Sequence, residues 1–385
     1  MKIVGIVVEY NPLHYGHIHH IKKTKELSNA DVLIAVMSGH VVQRGNFSIV
    51  DKFTKTNWAL DAGIDLVIEL PTVFTLQSAD LFAQTSLSIL DKLGVNDIYF
   101  GSETGDIEPL KKAASLMREA HFQEAVKLHM NQGYSYPTST DMAITTLTKN
   151  PSIHNLPNNI LGIQYIQAIK TLNASITPHA IKRVKTGYYD AINESTNIQS
   201  ATAIRLLIKE ASSFEDYVPD YVYKDLHHYP YIDIASFRDI FTYLLTMHHS
   251  KTMHRIFSFE EGFENRLLKV KNWTSVQSLI EQASTSRYTQ AKVRRSLMHL
   301  LLNIEKTMID SFTPPYIRVL GMNKAGQQHL NQIKKTLEDA NIPLITKLKK
   351  DRHLYLDIEI KVTELYESVV QKNLLDKEFS PVIIK

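Results

Sequence analysis

The first hundred residues alternate short, wholly apolar segments with segments whose apolar residues recur every three or four positions. The apolar segments are rich in β-branched residues and lack the polar alternation of strands that are half exposed to solvent; they span residues 3–8, 32–37, 66–70 and 97–100. The segments of helical period lie between them, at residues 18–27, 53–62 and 79–93. Gly63 and Gly94 follow the last two, where a helix commonly ends in a left-handed residue. This repetition predicts an α/β fold with a Rossmann-like, doubly wound parallel sheet.

A His-x-Gly-His sequence, His14 to His17, follows the first predicted strand. Asn11-Pro12 interrupts the apolar run just before it, which indicates a turn from a strand into a helix. Parallel sheets bind ligands beyond the carboxyl ends of their strands, and a helix N-terminus attracts phosphate. We therefore interpret His14 and His17 as two imidazoles beside a nucleotide's phosphates. A chance tetrapeptide in a chain with 17 histidines is the alternative.

A second polar motif, from Ser200 to Arg205, opens a predicted helix over residues 204–211. The hydroxyls of Ser200 and Thr202 suit an N-cap, and Arg205 adds a guanidinium one turn later. Taken alone, this pattern also fits an ordinary capped helix with a surface arginine. Paired with the histidine motif, it predicts the other side of a triphosphate site, with Lys52 or Arg44 as candidates to close over it.

Composition limits the classes of protein open to this chain. Of its 385 residues, 44% are hydrophobic and 22% charged, as in ordinary globular proteins, and no apolar stretch is long enough to cross a bilayer. The absence of cysteine excludes a disulfide partner, thiolate metal sites and a cysteine nucleophile. The first residues lack the layout of a signal peptide, so we expect a cytoplasmic protein without a membrane partner.

Charge divides the chain into a neutral first half and a basic later region. Residues 1–205 carry 18 basic and 18 acidic residues, whereas residues 251–352 carry 18 basic against nine acidic ones. The pattern after residue 210 is mostly helical, which predicts a nucleotide-binding domain over 1–210 and a basic, mainly helical RNA-binding domain over 211–385. The candidate RNA-binding residues are Arg287, Tyr288, Arg294 and Arg295, with the Tyr288 ring suited to stacking on an extruded base. Solvated helix faces are the alternative explanation of the charge.

These motifs, together with longer segments, resemble the bacterial tRNA(Met) cytidine acetate ligase family of the nucleotidylyltransferase superfamily over essentially the whole chain. The segments that carry the resemblance are 9–17, 37–39, 42–45, 49–52, 157–162, 287–289 and 294–295. The resemblance implies an enzyme that activates acetate with ATP as acetyl-adenylate and then acetylates the wobble cytidine of elongator tRNA(Met). One departure is Ala201, which stands where the superfamily's late motif usually carries another hydroxyl.

The resemblance also implies which residues bind ATP. They are Val7, Val8, Glu9, Tyr10, Asn11, Pro12, Leu13, His14, Tyr15, Gly16, His17, Ile18, His19 and His20, with Gly101, Asn158 and Arg183 completing the pocket beside Ser200 and Thr202. We expect His14, His17 and Arg205 to be catalytic, since adenylation needs positioning and neutralised charge. Magnesium is expected to bridge the phosphates, although no carboxylate cluster is spaced to hold a metal. Two other classes stay open: a small-molecule adenylyltransferase and a non-catalytic RNA-binding protein.

Overall fold

The computed structural model describes residues 1–148, 156–183, 198–260, 262–309 and 311–385. Its strands are β1 (Ile3–Val8), β2 (Val32–Ser38), β3 (Val41–Val42), β4 (Asn46–Phe47), β5 (Leu66–Leu70), β6 (Asp97–Ser102), β7 (Thr177–Lys182), β8 (Ile317–Met322), β9 (Leu344–Ile345) and β10 (Ile383–Ile384). Strands β1, β2, β5 and β6 coincide with the four predicted strands to within two residues. The sequence also predicts a strand over residues 180–184, which overlaps β7, although Val184 lies outside the described residues.

One sheet holds all of these strands except the β3–β4 hairpin. Its order is β10-β8-β5-β2-β1-β6-β7, with β9 beside β8. The pairs formed among β1, β2, β5, β6 and β7 are parallel, while β5 and β8 are antiparallel. The predicted α/β fold with a mostly parallel sheet is therefore confirmed, and the antiparallel edge from the C-terminal part of the chain is a feature that the sequence did not predict.

The helices cover both the connections of the sheet and most of the later chain. They are α1 (Tyr15–Ser28), α2 (Lys52–Asp61), α3 (Thr72–Thr75), α4 (Ala79–Lys92), α5 (Ile107–Leu116), α6 (Ala120–Asn131), α7 (Tyr136–Thr148), α8 (Pro157–Leu172), α9 (Ala201–Lys209), α10 (Asp220–His227), α11 (Arg238–Met247), α12 (Ser250–Met253), α13 (Phe263–Lys269), α14 (Val276–Ala283), α15 (Gln290–Leu301), α16 (Lys324–Asp339), α17 (Leu354–Val370) and α18 (Leu375–Glu378). Gly63 and Gly94 have φ values of 101° and 70°, which confirms their predicted left-handed conformation. Over the described residues, no helix combines the length and the apolar character needed to cross a membrane.

The later part of the chain is mainly helical, as predicted, but it is not separate from the sheet. Strands β8 and β10, from residues 317–322 and 383–384, extend the sheet beyond β5. The division at residues 210 and 211 stays a prediction, and the segment after residue 316 returns to the first part of the fold.

A cluster of buried charges fastens this returning segment. Lys52 Nζ lies 2.6 Å from Glu69 Oε1 and 2.8 Å from Glu378 Oε1, while Arg318 Nη1 lies 2.8 Å from Glu69 Oε2. Arg318 also pairs with Glu378, and the Glu359 carboxyl group accepts hydrogen bonds from the backbone and hydroxyl of Thr72. The cluster thus joins α2 and β5 of the first part to β8, α17 and α18 of the last.

The switch point of the sheet lies between β1 and β6. Strand β1 pairs with β2 on one side and with β6 on the other, so the chain first moves one way along the sheet and then the other. The carboxyl end of β6 lies in turn beside that of β7, with Ser102 opposite Lys182. A doubly wound sheet binds its ligand at such a point. The His14 motif follows β1 directly.

Buried imidazoles should make the fold sensitive to acid. Burial lowers the pKa of His14, His40 and His299 to about 3 and that of His20 to about 4, with nearby cations adding to the effect. Below pH 6.5 the unfolded chain binds protons that the folded chain does not, so the free energy of unfolding falls as the pH falls. Each imidazole contributes up to about 1.4 kcal/mol per pH unit.

The expected result is a urea midpoint that is clearly lower at pH 5.5 than at pH 7.5. Glu359 has the opposite effect on the free energy of unfolding, because burial and Glu69 raise its pKa to about 8. It binds a single proton, so the effect of the several imidazoles is larger. A His299→Gln variant is the control, since it removes one buried imidazole and should reduce the pH dependence. Equal midpoints at the two pH values would contradict the prediction.

Candidate active site

A cleft of about 940 Å³ lies at the switch point. It is lined by both sequence motifs, by the ends of β1, β6 and β7, and on the far side by the β3–β4 hairpin, α14 and α15. Six of its lining residues are Lys or Arg and three are Asp or Glu. Such an excess of positive charge at the carboxyl ends of parallel strands is suited to a phosphorylated ligand.

The two histidines of the early motif form a capping box at the start of α1. His14 is the N-cap residue, and its Nδ1 accepts a hydrogen bond from the backbone N–H of Gly16 at 3.1 Å. His17 Nδ1 accepts one from the backbone N–H of His14 at 3.3 Å, and the two ring centroids lie 3.8 Å apart. Because Nδ1 of each ring is an acceptor, Nε2 carries the proton in the neutral form of each imidazole.

Burial lowers the pKa of both rings. It takes the pKa of His14 to about 3, helped by the charges of Arg183 and Arg205, and it holds the pKa of His17 well below the usual value, helped by His14 and Arg183. Near pH 7 both imidazoles are therefore neutral donors. The positive charge beside these rings therefore comes from Arg183 and Arg205 and not from the two histidines.

Gly16 lies between the histidines because a side chain would not fit there. A Cβ on Gly16 would lie 2.8 Å from Cε1 of His14 and 3.3 Å from Ile198. The glycine thus lets the His14 ring fold over the first turn of α1. Gly101 has a similar role at the end of β6, where a Cβ would lie 3.2 Å from Cγ of Arg183.

The late motif meets the early one directly. Arg205 Nη1 donates to the Asn11 carbonyl at 2.6 Å, and its Nη2 donates to Thr202 Oγ1 at 3.0 Å. Ser200 is the N-cap of α9, as predicted, and its hydroxyl accepts from the N–H of Ala203. The predicted convergence of two segments nearly two hundred residues apart is confirmed, while their binding of ATP stays a prediction.

Asn158 and Arg183 form a third group at the cleft. Arg183 Nη1 donates to Asn158 Oδ1 at 3.1 Å, and Asn158 Nδ2 donates to Glu103 Oε1 at 2.6 Å. Glu103 also accepts the backbone N–H groups of Asn158 and Asn159, so it caps α8 from the end of β6. Of the adjacent pair, Asn159 is buried and bonded to Ser102, which leaves Asn158 as the asparagine that faces the cleft.

The residues predicted to bind ATP divide into two groups. Those that line the cleft are Val7, Val8, Glu9, Asn11, His14, Gly16, His17, His19, His20, Gly101, Asn158, Arg183, Ser200 and Thr202, and they are joined by Arg205, which was predicted to be catalytic. Tyr10 and Leu13 instead have buried side chains, 1% and 0% exposed, and support the loop from within the core. Pro12, Tyr15 and Ile18 are also outside the lining, and their part in binding ATP stays a prediction.

Two residues that the sequence predicted to contact substrate, Lys52 and Tyr288, are instead buried in the structure. Lys52 lies in the buried charge cluster, so it does not close over a triphosphate, whereas Arg44 lines the cleft. Tyr288 is 7% exposed, and its ring packs on Phe263 with the centroids 4.7 Å apart. Stacking of a base on Tyr288 therefore does not fit this structure, because the ring belongs to the core of the helical part.

Arg294 and Arg295 are adjacent in sequence and leave α15 in different directions. Arg294 lines the cleft, and its Nη2 donates to Gln277 Oε1 at 2.9 Å. Arg295 is outside the lining and interacts with the charge of Asp80. Arg287 is exposed. Binding of RNA by these arginines stays a prediction.

Sequence reasoning missed two contributions to the site. One is the cap that Glu103 provides to α8, and the other is the wall formed by Gln277 and Ile280 of α14. None of these three residues belongs to a motif. An acidic residue just after a strand was the one signal that pointed to Glu103.

Comparison with known proteins identifies the class. The family model described as HIGH Nucleotidyl Transferase matches residues 1–380. The chain is 38% identical to the tRNA(Met) cytidine acetate ligase of Caldicellulosiruptor saccharolyticus over 386 residues, 95% of this chain and 94% of the relative. It is 35% identical to the ligase of that name from Bacillus subtilis over 396 residues, 97% and 94% of the two chains.

A solved structure agrees with these relatives. The crystal structure of Thermotoga maritima TmcAL bound with alpha-thio ATP has a TM-score of 0.86 and 28% sequence identity to this chain, and the match covers 100% of both chains. The fold and the paired motifs thus define a nucleotidyl transferase of the HIGH class. Within that class, the chain belongs to the tRNA(Met) cytidine acetate ligase family.

Proposed function

We propose that this protein is an ATP-dependent ligase that acetylates the wobble cytidine of elongator tRNA(Met) to N4-acetylcytidine. The observation that carries the proposal is the hydrogen bond from Arg205 to the Asn11 carbonyl, which unites the late motif with His14 and His17 in one cationic cleft. The names of the relatives support the reaction, and the ATP analogue bound to the Thermotoga protein supports the nucleotide.

In the first step, an oxygen of acetate bonds to the α-phosphorus of ATP, the bond to the bridging oxygen breaks, and pyrophosphate leaves. This displacement depends on positioning and on stabilising charge in the transition state. His14 and His17 donate their Nε2–H groups to phosphate oxygens, and Arg183 and Arg205 supply the positive charge. The remaining N–H groups at the start of α9 face the same cleft.

In the second step, the exocyclic amine of cytidine attacks the acyl carbon of acetyl-adenylate, AMP leaves, and the amine loses a proton. The cytidine must leave its stack to reach this carbon, which an anticodon loop permits more readily than a duplex. Arg287, Arg294 and Arg295 are the residues proposed to hold the RNA near the cleft. The cytoplasm, where ATP and tRNA are both present, is the proposed compartment.

Magnesium has no protein cage among the residues that the structure describes, where no group of three or more His, Cys, Asp or Glu is arranged to hold a metal. The acidic residues of the cleft are also engaged: Glu9 accepts from the N–H of Gln43, Glu103 caps α8, and Asp233 lies 3.7 Å from Lys209. We propose that Mg²⁺ arrives with ATP, held by phosphate and water, and supplies further charge neutralisation.

The direct test is incubation of the protein with radiolabelled acetate, ATP and total tRNA, followed by digestion of the RNA to nucleosides. The expected product is labelled N4-acetylcytidine, formed with release of pyrophosphate. Omission of ATP is the first control and omission of tRNA the second. An adenylated small molecule without labelled RNA, or tRNA binding without ATP consumption, would overturn the proposal.

A further inference from the structure

The cleft extends beyond the nucleotide motifs to a second wall. The β3–β4 hairpin contributes Gln43 and Arg44 to this wall, and α14 and α15 contribute Gln277, Ile280 and Arg294. Small-molecule sites occupy about 300–1,000 Å³, and the present cleft is near the upper end of that range. Its size and two walls suit a nucleotide together with part of a second substrate.

The hairpin is seated directly on helix α15. Gly45 has a φ of 76°, and a Cβ at this position would lie 2.6 Å from the backbone N of Arg295 and 2.7 Å from the carbonyl carbon of Arg294. Only glycine combines this conformation with so close an approach between two backbones. Residue 44 is therefore held beside residue 294 by the backbone itself.

The same hairpin also touches the nucleotide loop. The backbone N–H of Gln43 donates to Glu9 Oε1 at 2.7 Å, and Gln43 Nε2 donates to the carbonyl of Gln77 at 2.9 Å. Arg44 thus projects from a hairpin that is fixed on both sides, between the loop that follows β1 and the N-terminal half of α15.

The guanidinium groups of Arg44 and Arg294 lack a carboxylate partner within salt-bridge distance among the described residues. Arg294 Nη2 donates to neutral oxygens, Gln277 Oε1 at 2.9 Å and Gln290 Oε1 at 3.4 Å. Burial lowers the pKa of Arg294 and of Arg205, and the charge of Arg44 lowers both further, against partial opposition from Glu281 and Glu9 respectively. All three arginines line the same cleft, where the charge of Arg44 repels that of each neighbour.

Three cations that line one cleft, two of them without a carboxylate within salt-bridge distance among the described residues, favour an anion between them. Arg205 belongs to the nucleotide site, whereas Arg294 lies on α15 in the helical part. A nucleotide within an RNA strand has a phosphate on each side, and base extrusion requires that its backbone be held.

Resting on the proposed function, we propose that Arg44 and Arg294 bind the backbone phosphate of the RNA nucleotide that is acetylated. The hairpin and α15 then form an acceptor-nucleotide subsite, and ATP occupies the side of the cleft with His14, His17 and Arg183. The base enters between the two, toward the adenylate.

The test uses the full chain with Arg44→Gln, Arg294→Gln and the double variant. We expect the KM for tRNA to rise about tenfold for each lost charge-assisted contact, while the KM for ATP changes less than about threefold. In filter binding of tRNA over a range of salt concentrations, the double variant should lose about 0.7–0.9 from the slope of log K against log salt, the value for one phosphate.

Two further variants provide matched controls. Arg118→Gln removes the same charge from an exposed position outside the cleft and should leave both KM values and the salt slope unchanged. Arg44→Lys keeps the charge but not the guanidinium fork, so it should keep the salt slope and recover part of the affinity.

Two results would overturn the subsite. One is a raised KM for ATP with an unchanged KM for tRNA, which would assign Arg44 to the triphosphate. The other is an unchanged tRNA affinity and salt slope in the double variant. The binding measurement decides the subsite even if the parent protein fails to acetylate tRNA, so the two proposals fail separately.

Discussion

Replacing either His14 or His17 with alanine is expected to reduce ATP-dependent acetylation by about 100- to 1,000-fold, the effect of losing one oriented donor to a transition state. Each variant loses an Nε2–H group that the capping box points into the cleft, because Nδ1 of each ring is held by a backbone N–H. Binding of tRNA should persist, since neither ring lies on the hairpin or on α15. Incorporation of labelled acetate and filter binding of tRNA measure the two effects.

Conservative variants separate this chemistry from the stability of the helix. His14→Asn keeps an N-cap acceptor but has no group at the Nε2 position, so it should fold normally and remain inactive. His17→Gln places an amide N–H near the lost Nε2–H and should recover part of the activity. Full activity in both alanine variants would contradict the catalytic role proposed for these histidines.

The sequence predicted the architecture around β1 because the controlling signals there are local. Strands buried on both faces require continuous apolar runs, and their covering helices require a period of 3.6 residues. A polar motif that follows such a strand must lie at the carboxyl edge of the sheet. For the same reason Ser200 and Arg205 could be matched with His14 and His17 from the sequence alone.

Features that depend on distant partners were not predictable in this way. Lys52 looks like a surface or ligand-binding cation in sequence, and its burial depends on Glu69, Arg318 and Glu378, which follow it by 17 to 326 residues. The antiparallel pairing of β5 with β8 was unpredictable for a similar reason, because a short apolar segment gives no indication of the direction in which the strand runs in a sheet. Tyr288 lies among cations in sequence, yet its ring is covered by Phe263.

The second wall of the cleft depends on a contact that sequence motifs do not predict. Residues 42–45 and 294–295 resemble a family, but no pattern says that Gly45 rests on the backbone of Arg294 and Arg295. That contact follows from the positive φ of Gly45 and from the packing of the hairpin on α15. The resemblance therefore located the segments, and their juxtaposition came from the structure.

Lys52→Met is expected to destabilise the protein by about 3–5 kcal/mol, the cost of breaking a buried ion pair by removing one partner. The variant leaves the carboxylates of Glu69 and Glu378 facing each other with Arg318 as their remaining cation. Glu359, with its pKa raised to about 8, is protonated near pH 7 and adds no negative charge. Urea denaturation measures the effect.

Lys23→Met is the matched control. Lys23 Nζ lies 2.6 Å from Glu26 Oε2, the same distance as in the Lys52–Glu69 pair, but both side chains are about half exposed. Solvent-exposed pairs contribute less than about 1 kcal/mol. Because the two ion pairs have the same distance, the difference in destabilisation between the two variants reports the effect of burial.

The double variant Lys52→Met with Glu378→Gln should be more stable than the single variant, because it removes one of the carboxylates left without compensation. Lys52 also begins α2, and one turn later Lys55 Nζ donates to the carbonyls of Glu9, Ser38 and Gly39. Disruption of the charge cluster should therefore also disturb the loop that carries His14. We expect the KM for ATP to rise more in Lys52→Met than in the double variant. A Lys52→Met protein within about 1 kcal/mol of the parent would contradict the assignment, since an exposed pair is worth no more than that.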